Sequence, residues 1–386
     1  MKDSKSIALV FTGDFPEGDQ KNARLKCIAN SFRDNGWSVE FISMYPTSFS
    51  KSSVEEQLKQ WNGIPIKHIL NWSNYPKFFP VRMIQLCLTN MFLSFYIFRN
   101  IFKSGLYYFY TPQFLGTLLP MLFTRLLGKK IIVDQTDLHS TTGLKYLHVI
   151  EEYLVGKVSN YLLVISPFLF EHFKTIKKRN IHLIPIMVDI HRFESNIEPQ
   201  YKLLGYIGSF STKDGISDML KGFKVCLNED PKLRLRLIGR DPYNFDTTKL
   251  INQLGIEENV ELTGRVTYDS IPKRLLECDT LIMNRDLSSF AETGYPIKLG
   301  EYFATKRPVL MSEGKGYQRI FEDKKEVIKY TSGDTSSFSK AVKFRYENID
   351  ATLSISYQGY KYAMEHFESS EVAQKIVNIA DNIWEE

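Results

Sequence analysis

Cysteine is scarce in this 386-residue chain: Cys27, Cys87, Cys226 and Cys278 are scattered with no paired spacing. That scarcity argues against a disulfide framework and against a zinc cluster, and it fits a reducing, cytoplasmic setting. The opening, Met1 to Ser6, is polar and runs straight into a strand-like stretch, without the apolar core of a secretory signal. No apolar run reaches the roughly 20 residues that span a bilayer. Met83–Phe98, bracketed by Arg82 and Arg99, comes nearest and reads as a buried helix with an interfacial end. Low-complexity tracts and short tandem repeats are absent. No G-x-G-x-x-G follows either candidate first strand, which disfavours a nicotinamide dehydrogenase.

What is present is an ordinary folded composition, 43% hydrophobic and 24% charged, in a chain long enough for two cores. Residues 1–195 carry 23 Lys and Arg against 15 Asp and Glu, whereas the remainder is slightly acidic. A basic front half suits an anionic membrane surface, and a solubilising charge excess accounts for it equally well.

Hydrophobic periodicity alternates strand with helix twice over. The first series runs through Ile7–Phe11, Val39–Ile42, Tyr107–Tyr110, Lys130–Val133, Tyr161–Ile165 and His182–Pro185. A polar break at Glu194–Gln200 follows, and the pattern restarts at Leu203–Ile207, Leu233–Ile238, Val260–Leu262, Thr280–Met283 and Pro308–Met311. The expectation is an α/β protein of two Rossmann-like, doubly wound domains, 1–195 and 201–386, facing across a cleft. The last helix, Ser370–Ile383, is expected to close the second domain or to pack back on the first.

The densest signal is Glu292-Thr-Gly-Tyr-Pro-Ile-Lys-Leu-Gly-Glu301. Gly294 and Pro296 mark a tight loop into a helix, and Lys298 and Glu301, three apart, share a helix face. A lysine in the first turn opposes the helix dipole unless an anion docks there. Glu301 offers a carboxylate to hydroxyls such as those of a ribose. Gly300 inside a helix costs about 1 kcal/mol against alanine, which suggests a close approach. A solvated Lys–Glu pair on a surface helix remains the structural alternative.

The run Gly294–Leu310 resembles the C-terminal donor motif of glycosyltransferase family 4. So do Gly205–Ser209 with Lys213–Gly215, Val260–Val266, and, in the front half, Val164–Ser166 with Ile184–Phe193. The resemblance implies a GT-B fold and a metal-independent, hexosyltransferase-type enzyme that retains configuration. Its donor would be a nucleotide sugar, and it would require no cofactor. Glu301 would bind the donor ribose, and Arg265 and Val266, after Gly264, would border the base. Thr293, Gly294, Tyr295 and Ile297 would offer donors to sugar and phosphates, with Glu292 on a sugar hydroxyl. The Arg and Lys that the family sets against the diphosphate fall on Ser209, after Gly208, and on Asp214. Neither is cationic. Lys298, Lys213 and Arg285 are the available replacements, with Lys298 preferred. In the front half Asp137 sits where an acidic group approaches the transferred sugar, although an N-cap role explains it too. His139 and Gly18 fall on the acceptor side.

The resulting expectation is a soluble glycosyltransferase of polysaccharide or glycoconjugate assembly, cytoplasmic and peripheral on the inner face of a membrane. Its acceptor would be lipid-linked or a saccharide, and nucleic acid is not expected as a partner. The rival reading is a catalytically silent binding or partner subunit of the same fold. A nucleotide-sugar epimerase would need a fuller set of cleft acids and histidines than this sequence offers.

Overall fold

The computed structural model describes residues 5–12, 15–16, 20–43, 60–69, 78–112, 114–138, 145–241, 246–286 and 294–385. The chain forms two compact units, Met1–Pro185 with Ser370–Glu386, and Ile186–Ser369.

The first unit is built on an eight-stranded sheet. Its strands are β1 (Ser6–Phe11), β2 (Ser38–Ser43), β3 (Gln60–Trp61), β4 (Ile64–His68), β5 (Leu106–Tyr110), β6 (Lys130–Gln135), β7 (Tyr161–Val164) and β8 (Ile181–Leu183). They lie in the order β3-β4-β2-β1-β5-β6-β7-β8, parallel except for the β3–β4 pair. Ile7 to Phe11 are all buried, as befits a central parallel strand covered on both faces. Beneath the sheet, Arg24 is clamped on Asp134 through Nε at 2.8 Å, and Tyr108 donates to the same carboxylate at 2.5 Å. Asp134 therefore holds the core together and is no ligand group.

The final helix, Ser369–Glu385, completes this unit. Trp384 meets Trp37 edge-on, with ring centroids 5.4 Å apart, and Lys130 donates to the Ile383 carbonyl at 2.8 Å.

The second unit has β9 (Gln200–Ser209), β10 (Arg234–Arg240), β11 (Val260–Gly264), β12 (Cys278–Met283), β13 (Val309–Ser312) and β14 (Ile328–Tyr330). All are parallel, in the order β11-β10-β9-β12-β13-β14. Counted from β9 this is the 3-2-1-4-5-6 arrangement, whose strand order reverses between β9 and β12. Ligands of such sheets gather at the carboxyl ends of those two strands.

Three features depart from the periodicity reading. β3, β4 and β14 are short strands that alternation did not reveal. The division between units falls at Pro185, and Glu194–Gln200 lies inside the second unit. Residues 186–193 are fastened there by backbone pairing of Val188 with Phe367–Ser369. The close approach signalled by Gly300 is the protein's own: a Cβ there would lie 2.6 Å from Val188 Cγ2 and 3.1 Å from Ile186 Cδ1.

Candidate functional site

The site assembles where the sheet of the second unit changes direction. Strand β9 ends at Gly208-Ser209 and leads into a turn, Thr212–Asp214, before the Ile216–Glu229 helix. Strand β12 ends at Met283, and Asn284 and Arg285 follow it. Asn284 ties the two loops together: its amide donates to the Asp214 and Gly215 carbonyls at 3.1 and 2.7 Å, and its oxygen accepts from Tyr330. Arg285 is fixed by its backbone, whose N–H donates to Ser312 Oγ and whose carbonyl accepts from Ser312 and Ser332.

The third contributor is the helix Ile297–Ala304, with Pro296 at its N-cap. Lys298, in its first turn, is buried and donates to Asp214 Oδ1 at 2.8 Å and to the Tyr206 hydroxyl at 2.9 Å. The anion that a first-turn lysine asks for is thus a protein carboxylate, one of the two positions where the family resemblance looked for a cation. Ser211 and Ser209 also donate to Asp214, at 2.7 and 3.3 Å. Burial opposes the charge on Asp214, but the Lys298 and Arg285 cations and the hydrogen bonds outweigh it, holding the carboxyl down at about 2. Burial pulls the Lys298 ammonium down to about 8 against the attraction of Asp214, and repulsion from Arg285 and Lys213 adds to that pull.

The cluster therefore sets two cationic side chains, Lys298 and Arg285, beside one carboxylate, with Lys213 near enough to repel Lys298. Arg285 Nε stands 3.9 Å from Asp214 Oδ1 and is buried with no hydrogen-bond partner. Gly208 lets the backbone pass close to these groups. A Cβ on it would lie 2.8 Å from the Tyr206 hydroxyl and 3.0 Å from Lys298 Nζ, and its φ of +149° is one that side chains rarely adopt.

Glu301 lies one turn beyond Lys298. It is buried, and its Oε2 has no hydrogen-bond partner. Burial raises its carboxyl to about 7, against the pull of Arg192 and Lys298. Arg192 in turn lies over Tyr268, 3.6 Å from the ring centroid, and donates to the Tyr268 carbonyl at 2.6 Å. The sequence reading missed Arg192, Tyr268, Tyr206 and Asn284. Nothing in their local spacing marks them, since each joins the site through strand order or a long-range pairing.

The remaining expected residues are dispersed. Tyr295 is buried, Gly294 and Ile297 are half-buried, Ser209 and Arg265 are exposed, and Val266 is half-buried. Arg265 and Val266 follow β11 at the same carboxyl edge as Ser209 and Arg285. Asp137 follows β6 in the first unit and is exposed, its carbonyl accepting from Gln135 at 2.7 Å. Glu292, Thr293, Gly18 and His139 lie outside the described residues. Among the described residues, no three His, Cys, Asp or Glu side chains gather as a metal-binding group.

Known structures share this architecture over nearly its whole length. HepE from Anabaena, solved in complex with UDP, superposes with a TM-score of 0.76 at 14% identity, covering 97% of this chain and 99% of its own. Sucrose-phosphate synthase from Thermosynechococcus elongatus gives 0.75 at 13% identity, over 98% and 99%. The fold is GT-B. TarM, at 12% identity and a TM-score of 0.76, has it as well, over 98% of this chain and 99% of its own. The family model described as glycosyl transferases group 1 matches residues 187–362, nearly the whole of the second unit. Mannosylfructose-phosphate synthase from Agrobacterium fabrum is 25% identical over 137 residues, 31% of this chain and 30% of that protein. That match spans less than a third of the relative's length.

Proposed function

We propose that this GT-B protein is a retaining, metal-independent hexosyltransferase of the family 4 type, holding a nucleoside diphosphate sugar in its second unit. The observation that carries this reading is Glu301: a buried carboxylate oxygen without a partner, one helical turn from a cationic cluster. An unpaired buried acceptor costs about 1–3 kcal/mol, so a site that keeps one is shaped for a donor from outside the protein. A ribose hydroxyl supplies such a donor, and the diphosphate beside it faces Arg285, Lys298 and Lys213.

The chemistry follows from charge. As the bond from the sugar carbon to the phosphate oxygen breaks, negative charge builds on the departing diphosphate. Cations already held in place by Asp214, Tyr206 and the Arg285 backbone meet that charge without reorganising, the arrangement that contributes most to such rate enhancements. The leaving phosphate oxygen then accepts the proton of the attacking hydroxyl, which lets the acceptor enter on the face the diphosphate leaves. The acceptor in this reading is a lipid-linked or saccharide hydroxyl, presented at the inner face of a membrane, with Asp137 near the transferred sugar.

One observation favours the silent-subunit alternative: Lys298 is already neutralised by Asp214. A panel of nucleoside diphosphates and their sugars decides between the two. UDP is the first probe, since it is the ligand of HepE. A thermal shift with one nucleotide, together with release of free sugar from its donor, supports the enzyme. Binding without any turnover sinks it and leaves the subunit. No binding by the folded chain sinks the enzyme as well and moves the weight to a partner subunit.

A further inference from the structure

Two helices of the first unit carry their polarity inside out. In the helix Phe79–Arg99, Gln85, Thr89 and Asn90 are buried, whereas Ile84, Met91, Phe92, Phe95 and Phe98 are exposed. Of these inward groups, the Thr89 hydroxyl donates to the Gln85 carbonyl and the Asn90 amide to that of Leu86, both at 2.8 Å. The helix Lys145–Val158 repeats the pattern. Glu151 and Glu152 are buried, while Tyr146, Val149, Ile150 and Tyr153 face outward. Glu152 is taken up by His172, 3.0 Å away.

These faces belong to one region. The Phe79–Arg99 helix packs against both the Leu119–Leu126 helix and the Phe114–Leu118 turn, and that turn also meets Lys145–Val158. Phe102 and Leu126 extend the apolar surface, at 95% and 84% exposed. A water-facing helix places its charges outward, and exposed apolar side chains gathered on neighbouring helices mark an interaction site.

Charge selects the occupant. From Gln57 to Val133 the sequence contains nine Lys and Arg and no Asp or Glu at all. Arg99, Lys103, Arg125 and Lys129 border the apolar face, and the Lys129 ammonium lies 5.8 Å from the Phe102 ring centroid. Aromatic and aliphatic groups fringed by cations, with the carboxylates of the second helix turned inward, match the acyl boundary and phosphate headgroups of an anionic bilayer. No helix among the described residues is long and apolar enough to cross a membrane, so the contact is one of lying on the surface. We propose that this face docks the chain on an anionic lipid bilayer. The proposal deepens the membrane-presented acceptor of the reading above and rests on it for its purpose, while its evidence is separate.

The test is flotation of the full chain with phosphatidylcholine vesicles, with and without phosphatidylglycerol. The chain should float with the anionic vesicles, less with neutral ones, and less again in high salt. The double substitution Phe95→Asp with Phe102→Asp should lower partitioning by at least about tenfold. Leu353→Asp, at an exposed apolar position in the second unit, should leave it unchanged. Both altered positions are exposed, so circular dichroism and melting of the variant should match the parent. Absence of flotation with anionic vesicles, or equal flotation of the double variant, overturns the proposal. So does a dimer that the same substitutions dissolve while neither protein floats, which would assign the face to a second copy. The UDP thermal shift, measured on the same samples, reports on the donor reading independently.

Discussion

The Lys298 ammonium lies 2.8 Å from the carboxylate of Asp214, a residue 84 positions earlier in the chain, and both side chains are buried. The pair is formed across the topological switch point, between the turn after β9 and the helix that follows β12. It gives the protein a cation held in place before any substrate arrives. It also lowers the net charge that a diphosphate would meet.

Replacing Asp214 by Asn should separate these two effects. Removing one partner of a buried pair typically costs about 3–5 kcal/mol, so the melting temperature should fall. Asp214 also helps keep the buried Lys298 ammonium charged, so only at a pH where Lys298 stays protonated without it does the cluster become more positive by one charge, and there the further stabilisation by saturating UDP should rise. Calorimetric melts with and without nucleotide read both quantities. A UDP effect that shrinks in Asp214→Asn would mean that the carboxylate positions the cations and does not merely dilute them.

Glu301→Ala should weaken nucleotide binding by about tenfold or more, the loss expected for one charge-assisted hydrogen bond. Stability without ligand should hold or rise, because a buried oxygen with no partner is removed. Isothermal titration calorimetry with UDP provides the check. Unchanged affinity would remove the ribose role.

Lys298→Met should lower turnover more than it raises the apparent affinity constant for donor, if the ammonium serves the departing diphosphate. Steady-state kinetics with the donor identified by the nucleotide panel give the comparison. A fall in affinity alone would assign Lys298 to ground-state binding.

Nucleotide affinity should depend on pH with two limbs. Glu301 accepts a ribose hydroxyl best when ionised, and burial has raised its carboxyl to about 7, so affinity should fall as pH drops through that value. Lys298 attracts the diphosphate only when protonated, and burial has lowered it to about 8, so affinity should fall as pH rises through that value. Stability of the free protein follows the same groups. Between the ordinary carboxylate range and about 7 the native state binds the Glu301 proton more tightly than the unfolded chain, so stability contributed by that group declines as pH rises. Glu301→Gln should abolish the acidic limb of binding and Lys298→Met the alkaline one.

Gly300→Ala should destabilise the second unit by about 1–3 kcal/mol through overpacking. The added methyl meets Val188 Cγ2 at 2.6 Å and Phe367 Cδ2 at 3.3 Å, neither at the end of a flexible chain. The UDP affinity of the folded fraction should not change, because the neighbours are protein. Denaturant melts and calorimetry on the same sample test the two halves of this expectation.

Much of the architecture was open to a reading of local pattern. The buried strands of both sheets are continuous apolar runs, and the turns Asn35-Gly36 and Gly128 end their helices with glycine at positive φ, +80° in both cases. The two residues of β3 carry too few alternating positions to stand out, and Pro65 inside β4 argues against a strand there. The inside-out polarity of Phe79–Arg99 escaped for a different reason. An apolar stripe reads the same whether it faces core or lipid, and only the buried Gln85, Thr89 and Asn90 reveal which side is which.

The sequence by itself determined the double strand–helix alternation, the acid-free basic stretch and the placement of Lys298 and Glu301 on one helix face, because each depends on neighbours within a few residues. Tertiary structure decided what those side chains meet. Strand order set the turn after β9 next to the loop after β12, and so gave Lys298 its carboxylate. The return of residues 186–193 against Phe367 gave Gly300 its neighbours. The last helix joined the first unit because Trp384 fits against Trp37 and Gly105. Periodicity records which face of an element avoids water, and packing across hundreds of residues chooses the partner that covers it.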